Sequence, residues 1–202
     1  YLGFEKEELA ITRNTTESLN IVFNGIDWKK NDEIIIGNQD YGSMVESINQ
    51  LAQRYHIKVK IAQIPINPNN DEEIISAYTQ LINKKSKLVL ITHLINLSGQ
   101  IIPIEKINDQ IKKIDHRIIT VSDSAHSVSQ IDFDFKNSKI DIFAGSLHKW
   151  TCCSIGLGFL KIKKELIPQI WPLFGDTNYP KDNIRKFEHF GTRPLQVYKA
   201  LN

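Results

Sequence analysis

Lys149 lies in the run Ala144-Gly145-Ser146-Leu147-His148-Lys149-Trp150, directly after a short apolar segment and before a glycine-bearing one. An amine placed at a strand end forms an imine with a carbonyl when it is held in a partly desolvated site, and lysine is the side chain best suited to this. The ordinary reading of the same residue is a surface lysine after a strand. A second reactive type is a carboxylate: Asp123, in Val121-Ser122-Asp123-Ser124-Ala125-His126-Ser127, closes another apolar run. A carboxylate buried there calls for a cation or a strong donor. An arginine, a helix start or the protonated ring nitrogen of a cofactor each meets that need.

Three further polar segments follow apolar runs. Arg13-Asn14-Thr15-Thr16-Glu17-Ser18-Leu19-Asn20 joins a strand to a helix, and hydroxyls with free backbone N–H groups at a helix start suit a phosphate. The same residues equally make an N-cap with Asn14 or Thr15 as the cap. Asn38-Gln39-Asp40-Tyr41-Gly42 places an aromatic before a helix, where it either packs or stacks on a planar ligand. Thr92-His93-Leu94-Ile95-Asn96-Leu97-Ser98-Gly99 ends a wholly apolar run with hydrogen-bonding groups. A phosphate anchor, a stacking ring, an anion for a heteroaromatic nitrogen and an amine together match what pyridoxal 5'-phosphate requires.

The elements that must position these residues alternate. Apolar runs at 9–12, 33–37, 58–64, 87–93, 117–122, 140–145 and 158–162 give seven candidate strands. Several are nearly continuous in Val, Ile and Leu, as strands covered on both faces are. Between them Met44, Val45, Ile48, Leu51, Ala52 and Tyr55 fall on one helical face. Ile74, Ile75, Tyr78, Leu81 and Ile82 do so behind Asn70 or Asp71 as a cap, and Ile104, Ile107, Ile111 and Ile114 behind Pro103. These stripes are core packing. Strand–helix alternation predicts an α/β fold: three-layer α/β/α with a mostly parallel seven-stranded sheet, ligands collecting at the strands' carboxyl ends. Beyond Lys163 the pattern loosens around Pro168, Trp171-Pro172, Gly175-Asp176 and Tyr179-Pro180 into an irregular excursion.

Composition sets the outer limits. The chain of 202 residues, 41% hydrophobic and 24% charged, is ordinary for a globular domain. A net charge of +2 gives no footprint for nucleic acid or an acidic membrane. No apolar run approaches the roughly 20 residues of a membrane span. The 2 cysteines, Cys152 and Cys153, are adjacent and lack metal-ligand spacing; a reducing cytoplasm is the expected setting, with no metal.

Taken in order, these segments resemble the class V aminotransferase group of fold-type-I pyridoxal-phosphate enzymes, closest to the isopenicillin-N-epimerase-like proteins related to cysteine desulfurases. Thr12 through Asn20 is similar to that group's phosphate loop, and Asp123-Ser124-Ala125-His126 to its Asp-x-Ala-His motif. Ser146-Leu147-His148-Lys149-Trp150 is similar to its lysine motif, and Ile155-Gly156-Leu157-Gly158-Phe159-Leu160 to the strand after it. Phe187-Glu188-His189-Phe190-Gly191-Thr192 is similar to its later Gly-Thr element.

The resemblance implies that Lys149 forms the internal aldimine and moves protons at the substrate α-carbon, with Asp123 and His126 as the other catalytic residues. Asp123 would pair with the pyridinium nitrogen, His126 and Asn96 approach the ring hydroxyl, and Tyr41 stack on the ring. Thr15, Thr16, Ser146 and His148 would bind the phosphate, and Gly191 and Thr192 the phosphate of a neighbouring subunit, hence a homodimer. It further implies that residues 1–202 are the cofactor-binding large domain, incomplete at both ends, with a small carboxy-terminal domain absent. The expected activity is that of an epimerase, lyase or aminotransferase acting on an amino acid or amine. The alternatives are a dimeric binding module without turnover, or a cysteine desulfurase whose loop cysteine lies beyond residue 202. Cys152 and Cys153 sit too near Lys149 for that last role.

Overall fold

The computed structural model describes residues 2–175, 178–189, 191–192 and 196–199. Its elements run β1 (Leu9–Thr12), α1 (Thr15–Gly25), β2 (Glu33–Gly37), α2 (Gly42–Tyr55), β3 (Lys58–Ala62) and α3 (Asp71–Thr79). They continue with β4 (Ser86–Thr92), α4 (Ile104–Ile114), β5 (Ile119–Asp123), β6 (Ile142–Ser146) and β7 (Gly158–Ile162). The architecture is three-layer α/β/α around a mostly parallel seven-stranded sheet of order β1-β7-β6-β5-β4-β2-β3. β2 pairs in parallel with β3 and β4, and β4 with β5, whereas β7 runs antiparallel to β1 and β6. Every residue of β2, β5, β6 and β7 is buried. That is why β2, β6 and β7 read as largely apolar runs rather than as alternation, whereas β5 alternates Ile119 and Val121 with Thr120 and Ser122 and is buried all the same.

The chain divides into two compact units. One comprises Tyr1–Asp27, Ser124–Asn137 and Ile142–Asn202. Here α1 buries Leu19, Val22 and Phe23, and Phe4 lies 5.8 and 5.9 Å from the rings of Phe159 and Phe143. Asn14 caps α1 by accepting from Glu17 N–H at 2.8 Å, and Glu17 reaches back to Arg13 N–H at 2.7 Å. These bonds satisfy donors that a helix start leaves open. After β7 the expected irregular excursion holds 3₁₀ turns at Lys164–Gln169 and Ile184–Glu188.

The other unit comprises Trp28–Asp123 and Ser138–Asp141. Its β3 is partly exposed and carries Lys58 and Lys60, as an edge strand protected from further pairing does. β3 stops at Ala62 rather than at the expected 64 because Ile64 N–H is taken by the Asn38 side chain at 3.1 Å. β6 begins two residues later than expected for a related reason. Buried Asp141 spends its carboxylate on Thr120 N–H at 2.9 Å and Lys112 Nζ at 2.5 Å. The third apolar stripe is shorter than its sequence pattern, since Ile114 at the end of α4 is exposed.

Candidate active site

In the first unit, register places Thr12, Gly158 and Ser146 side by side at one edge of β1, β7 and β6. Gly158 is required there: a Cβ at this position would stand 2.6 Å from Asn14 Cα, a distance no real contact shows. Its absence lets the start of α1 settle on the sheet. Thr15 N–H then donates to Ser146 Oγ at 2.9 Å, and the two hydroxyls meet at 2.7 Å. The segment is a capped helix start, with the Thr15 and Ser146 hydroxyls paired beside it. Thr16 is exposed on the following position. His148 Nδ1 lies 3.3 Å from Leu157 O, which ties the lysine segment to the residue before β7.

Lys149 sits in a closed turn beyond β6. Leu147 N–H donates to Leu157 O, Cys153 N–H to Leu147 O and Cys152 N–H to Lys149 O, with Cys152 at φ 56°. The turn sets Lys149 Nζ 2.9 Å from His126 Nε2. Trp150, the next residue, donates its indole N–H to the other ring nitrogen, His126 Nδ1, at 3.3 Å. Burial, then the charge of Lys149, holds the His126 imidazole below its usual range. Lys149 itself is exposed in this chain rather than desolvated, because the turn carries it past the buried end of β6.

The second unit holds the other predicted residues. Asp123 is buried at the end of β5, register-paired with Thr92 of β4, and its carbonyl accepts from His93 N–H at 2.9 Å. Asp40, which sequence reasoning quoted without a role, accepts from Thr92 Oγ1 at 2.7 Å and from Gly37 N–H at 2.8 Å. Burial pushes its carboxyl up to about 7, and the negative charge of Asp123 adds to the rise. The fully buried Tyr78 hydroxyl lies beside it: a Cβ on Gly37 would stand 3.0 Å from both Tyr78 Oη and Asp40 Oδ1. His93 is buried as well, and desolvation lowers its imidazole to about 4. Tyr41 is half exposed at the start of α2, and Asn96 is exposed.

Gly191 and Thr192 are exposed, with Gly191 at φ 71°; Phe190 of the same motif lies outside the described residues. Cys152 and Cys153 are both free thiols. Among the described residues no cluster of His, Cys, Asp or Glu is arranged to hold a metal, and no helix is long and apolar enough to cross a membrane. Two participants escaped the sequence reading. Trp150 stands in the lysine motif with no role of its own, and Asp40 has as its signal a carboxylate directly before a helix in the segment after a buried strand.

The family model for aminotransferase class-V matches residues 2–195. The chain belongs to the class-V aminotransferase family. It is 26% identical to the isopenicillin N epimerase of Amycolatopsis lactamdurans, over 100% of this chain and 54% of the relative. It is 32% identical to a probable cysteine desulfurase of Mycoplasma genitalium, over 100% of this chain and 51% of that protein. This class-V aminotransferase chain thus spans about half the length of the curated relatives it matches. Among solved structures, a cysteine desulfurase from Thermococcus onnurineus superposes with TM-score 0.76 at 28% identity, covering 87% of this chain and 43% of that one. The cystine C–S lyase C-DES in complex with cysteine persulfide superposes with TM-score 0.85 at 22% identity, over 99% of this chain and 55% of its own, and shows the shared fold.

Proposed function

We propose that this chain is the cofactor-binding large domain of a pyridoxal-phosphate-dependent enzyme acting on an amino acid or amine, as an epimerase, lyase or aminotransferase. The observation that carries the reading is the pairing of Lys149 Nζ with His126 Nε2 at 2.9 Å, in the segment that leads directly on from Ser146 and its bond to Thr15. The donor set fits the group: two hydroxyls that now satisfy each other stand at a helix start, where a phosphate accepts from both and gains from the aligned N–H groups. When bound, pyridoxal phosphate supplies an aldehyde for the amine and a conjugated ring that draws electrons from the substrate α-carbon.

Lys149 is assigned the covalent attachment and the movement of protons at Nζ. Asp123 is assigned to hold the proton on the ring nitrogen, since a buried carboxylate is stabilised by a cationic partner. His126 and Asn96 are assigned to the ring hydroxyl and Tyr41 to the ring face. Thr15, Thr16, Ser146 and His148 are assigned to the phosphate, and Gly191 and Thr192 to the phosphate of a second subunit in a homodimer. The two free cysteines favour a reducing, cytoplasmic setting. Similarity to proteins named cysteine desulfurases supports a second reading, sulfur removal from cysteine. Cys152 and Cys153 are both tied by their N–H groups into the Lys149 turn, so that activity needs a loop cysteine beyond residue 202.

Reconstitution tests the first reading. Added pyridoxal phosphate should turn the protein yellow, and borohydride should then fix the cofactor to the peptide containing Lys149, read by mass spectrometry. A protein that stays colourless, with Lys149 unmodified, sinks it. Sulfide release from cysteine by the same preparation would favour the second reading.

A further inference from the structure

We infer that Asp40 is a positioning residue: its carboxyl group ties the start of α2, and with it Tyr41, to the strand ends that lead to Asp123. The two carboxyl oxygens serve different strands. Oδ2 accepts the Gly37 N–H at 2.8 Å, and the Asp40 N–H donates back to Gly37 O at 3.2 Å, so the turn after β2 is closed from both sides. Oδ1 meets Thr92 Oγ1 at 2.7 Å. Thr92 is the last residue of β4 and the register partner of Asp123 on β5. Tyr41 follows Asp40 directly, and its carbonyl accepts the first N–H groups of α2, from Met44 at 2.8 Å and Val45 at 3.2 Å. A shift of Asp40 therefore carries the helix start and the tyrosine with it.

The arrangement is not that of a helix cap. An aspartate before a helix ordinarily turns its oxygens to N–H groups of the first turn. Here α2 has no side-chain cap, and Asp40 is buried against the sheet while Tyr41 stays half exposed. Gly37 makes the room, since a Cβ there would stand 3.0 Å from Asp40 Oδ1. Both bonds survive a change of protonation. A threonine hydroxyl donates to a carboxylate and accepts from a carboxylic acid, so the upward pull of burial on this carboxyl leaves the tie intact. The effect on a bound ring rests on the reading that Tyr41 meets the ring face and Asp123 its nitrogen; the tie between β2, β4 and α2 does not.

The test uses 4'-deoxypyridoxine 5'-phosphate, which has the ring and the phosphate but no aldehyde, so Lys149 cannot attach to it. Asp40→Ala should weaken its binding by about tenfold, the scale of one net hydrogen bond, and should speed exchange of the Gly37 amide in ligand-free protein. Asp40→Asn accepts from Gly37 and donates to Thr92, and should restore both. Thr92→Val loses the Oδ1 partner alone and should also weaken the analogue, which decides the matter even where Asp40→Ala does not fold. Tyr41→Ala should cost less affinity in the Asp40→Ala background than in the unmodified protein, because the ring is already displaced. Unchanged affinity in Asp40→Ala or Thr92→Val, full additivity with Tyr41→Ala, or an Asp40→Asn protein that stays weak overturns the inference. Unmodified protein that binds neither the analogue nor pyridoxal phosphate removes the cofactor reading and the ring role with it. Gly37 exchange, read without ligand, separates that result from failure of the tie.

Discussion

Ser146 Oγ and Thr15 Oγ1, 131 residues apart in the chain, lie 2.7 Å from each other, and the same Ser146 oxygen accepts Thr15 N–H at 2.9 Å. One hydroxyl thus joins the end of β6 to the first turn of α1. A dianionic group at this helix start would take over hydrogen bonds that the two residues now give each other. Ser146→Ala should accordingly weaken binding of pyridoxal phosphate by about tenfold, the equivalent of a net hydrogen bond of about 1–1.5 kcal/mol. Binding of pyridoxal, which lacks the phosphate, should change little. Affinities from fluorescence or absorbance titration of both ligands check this, and equal losses for the two would remove Ser146 from the phosphate role.

Two buried titratable groups in the second unit pull stability in opposite directions with pH. Asp40 is pushed from 3.8 up to about 7. Between those values the unfolded chain is ionised while the native one keeps its proton, so this contribution is full below about 4 and is lost as pH rises toward 7. His93 is lowered from 6.5 to about 4. Its contribution is full above 6.5 and is lost as pH falls through that window. The two slopes offset each other between pH 4 and 6.5. Asp40→Asn should therefore leave a protein whose urea midpoint rises with pH across that range, and His93→Gln one whose midpoint falls. Curves that superimpose on the unmodified protein's would contradict the assignment of both shifts.

The strand framework was legible where burial on both faces leaves an apolar run, as at β2 and β7, and β1, buried on alternate residues only, also falls on its expected positions. What the runs do not encode is where a ladder ends, since that depends on side chains from other segments. Asn38 takes the Ile64 N–H and ends β3, while the side chain of Asp141 meets Thr120 before β6 begins. The site was legible to a similar depth. Lys149, Asp123 and His126 announce themselves by type and by place after apolar runs. The Trp150 bond to His126 depends on a turn closed by Leu147, Lys149 and Leu157 backbone atoms, and backbone closure has no residue signature. Asp40 is hidden for another reason: a carboxylate before a helix reads as a cap, yet this one faces inward to Thr92.

Asp123 gives a prediction in which chemistry and binding part. If its carboxylate keeps a ring nitrogen protonated, Asp123→Asn preserves shape and hydrogen-bonding capacity while removing the charge. Turnover should fall by about 10²-fold or more, the scale seen when one preorganised electrostatic group is lost. Cofactor affinity should fall by much less, since the phosphate contacts stay in place. Kinetics paired with cofactor titration decide it: parallel losses in kcat and affinity would make Asp123 a binding residue only.

Gly158 offers the most direct test of how the fold serves the site. Its hydrogen faces Asn14, where a Cβ would stand 2.6 Å from Asn14 Cα and 2.8 Å from Asn14 N. Both neighbours are backbone, so neither can swing aside as a flexible side chain would. Gly158→Ala must push the α1 start away from β7, which lengthens the Thr15–Ser146 contact that depends on their approach. Overpacking of this kind costs about 1–3 kcal/mol, a loss readable as a lower urea midpoint with an unchanged slope. The same variant should lose affinity for pyridoxal phosphate but retain it for pyridoxal, as Ser146→Ala does. Combining the two substitutions should then give less than the sum of their separate effects on phosphate-dependent affinity, because both act on one contact. Full additivity would show that Gly158 and Ser146 support binding by separate routes.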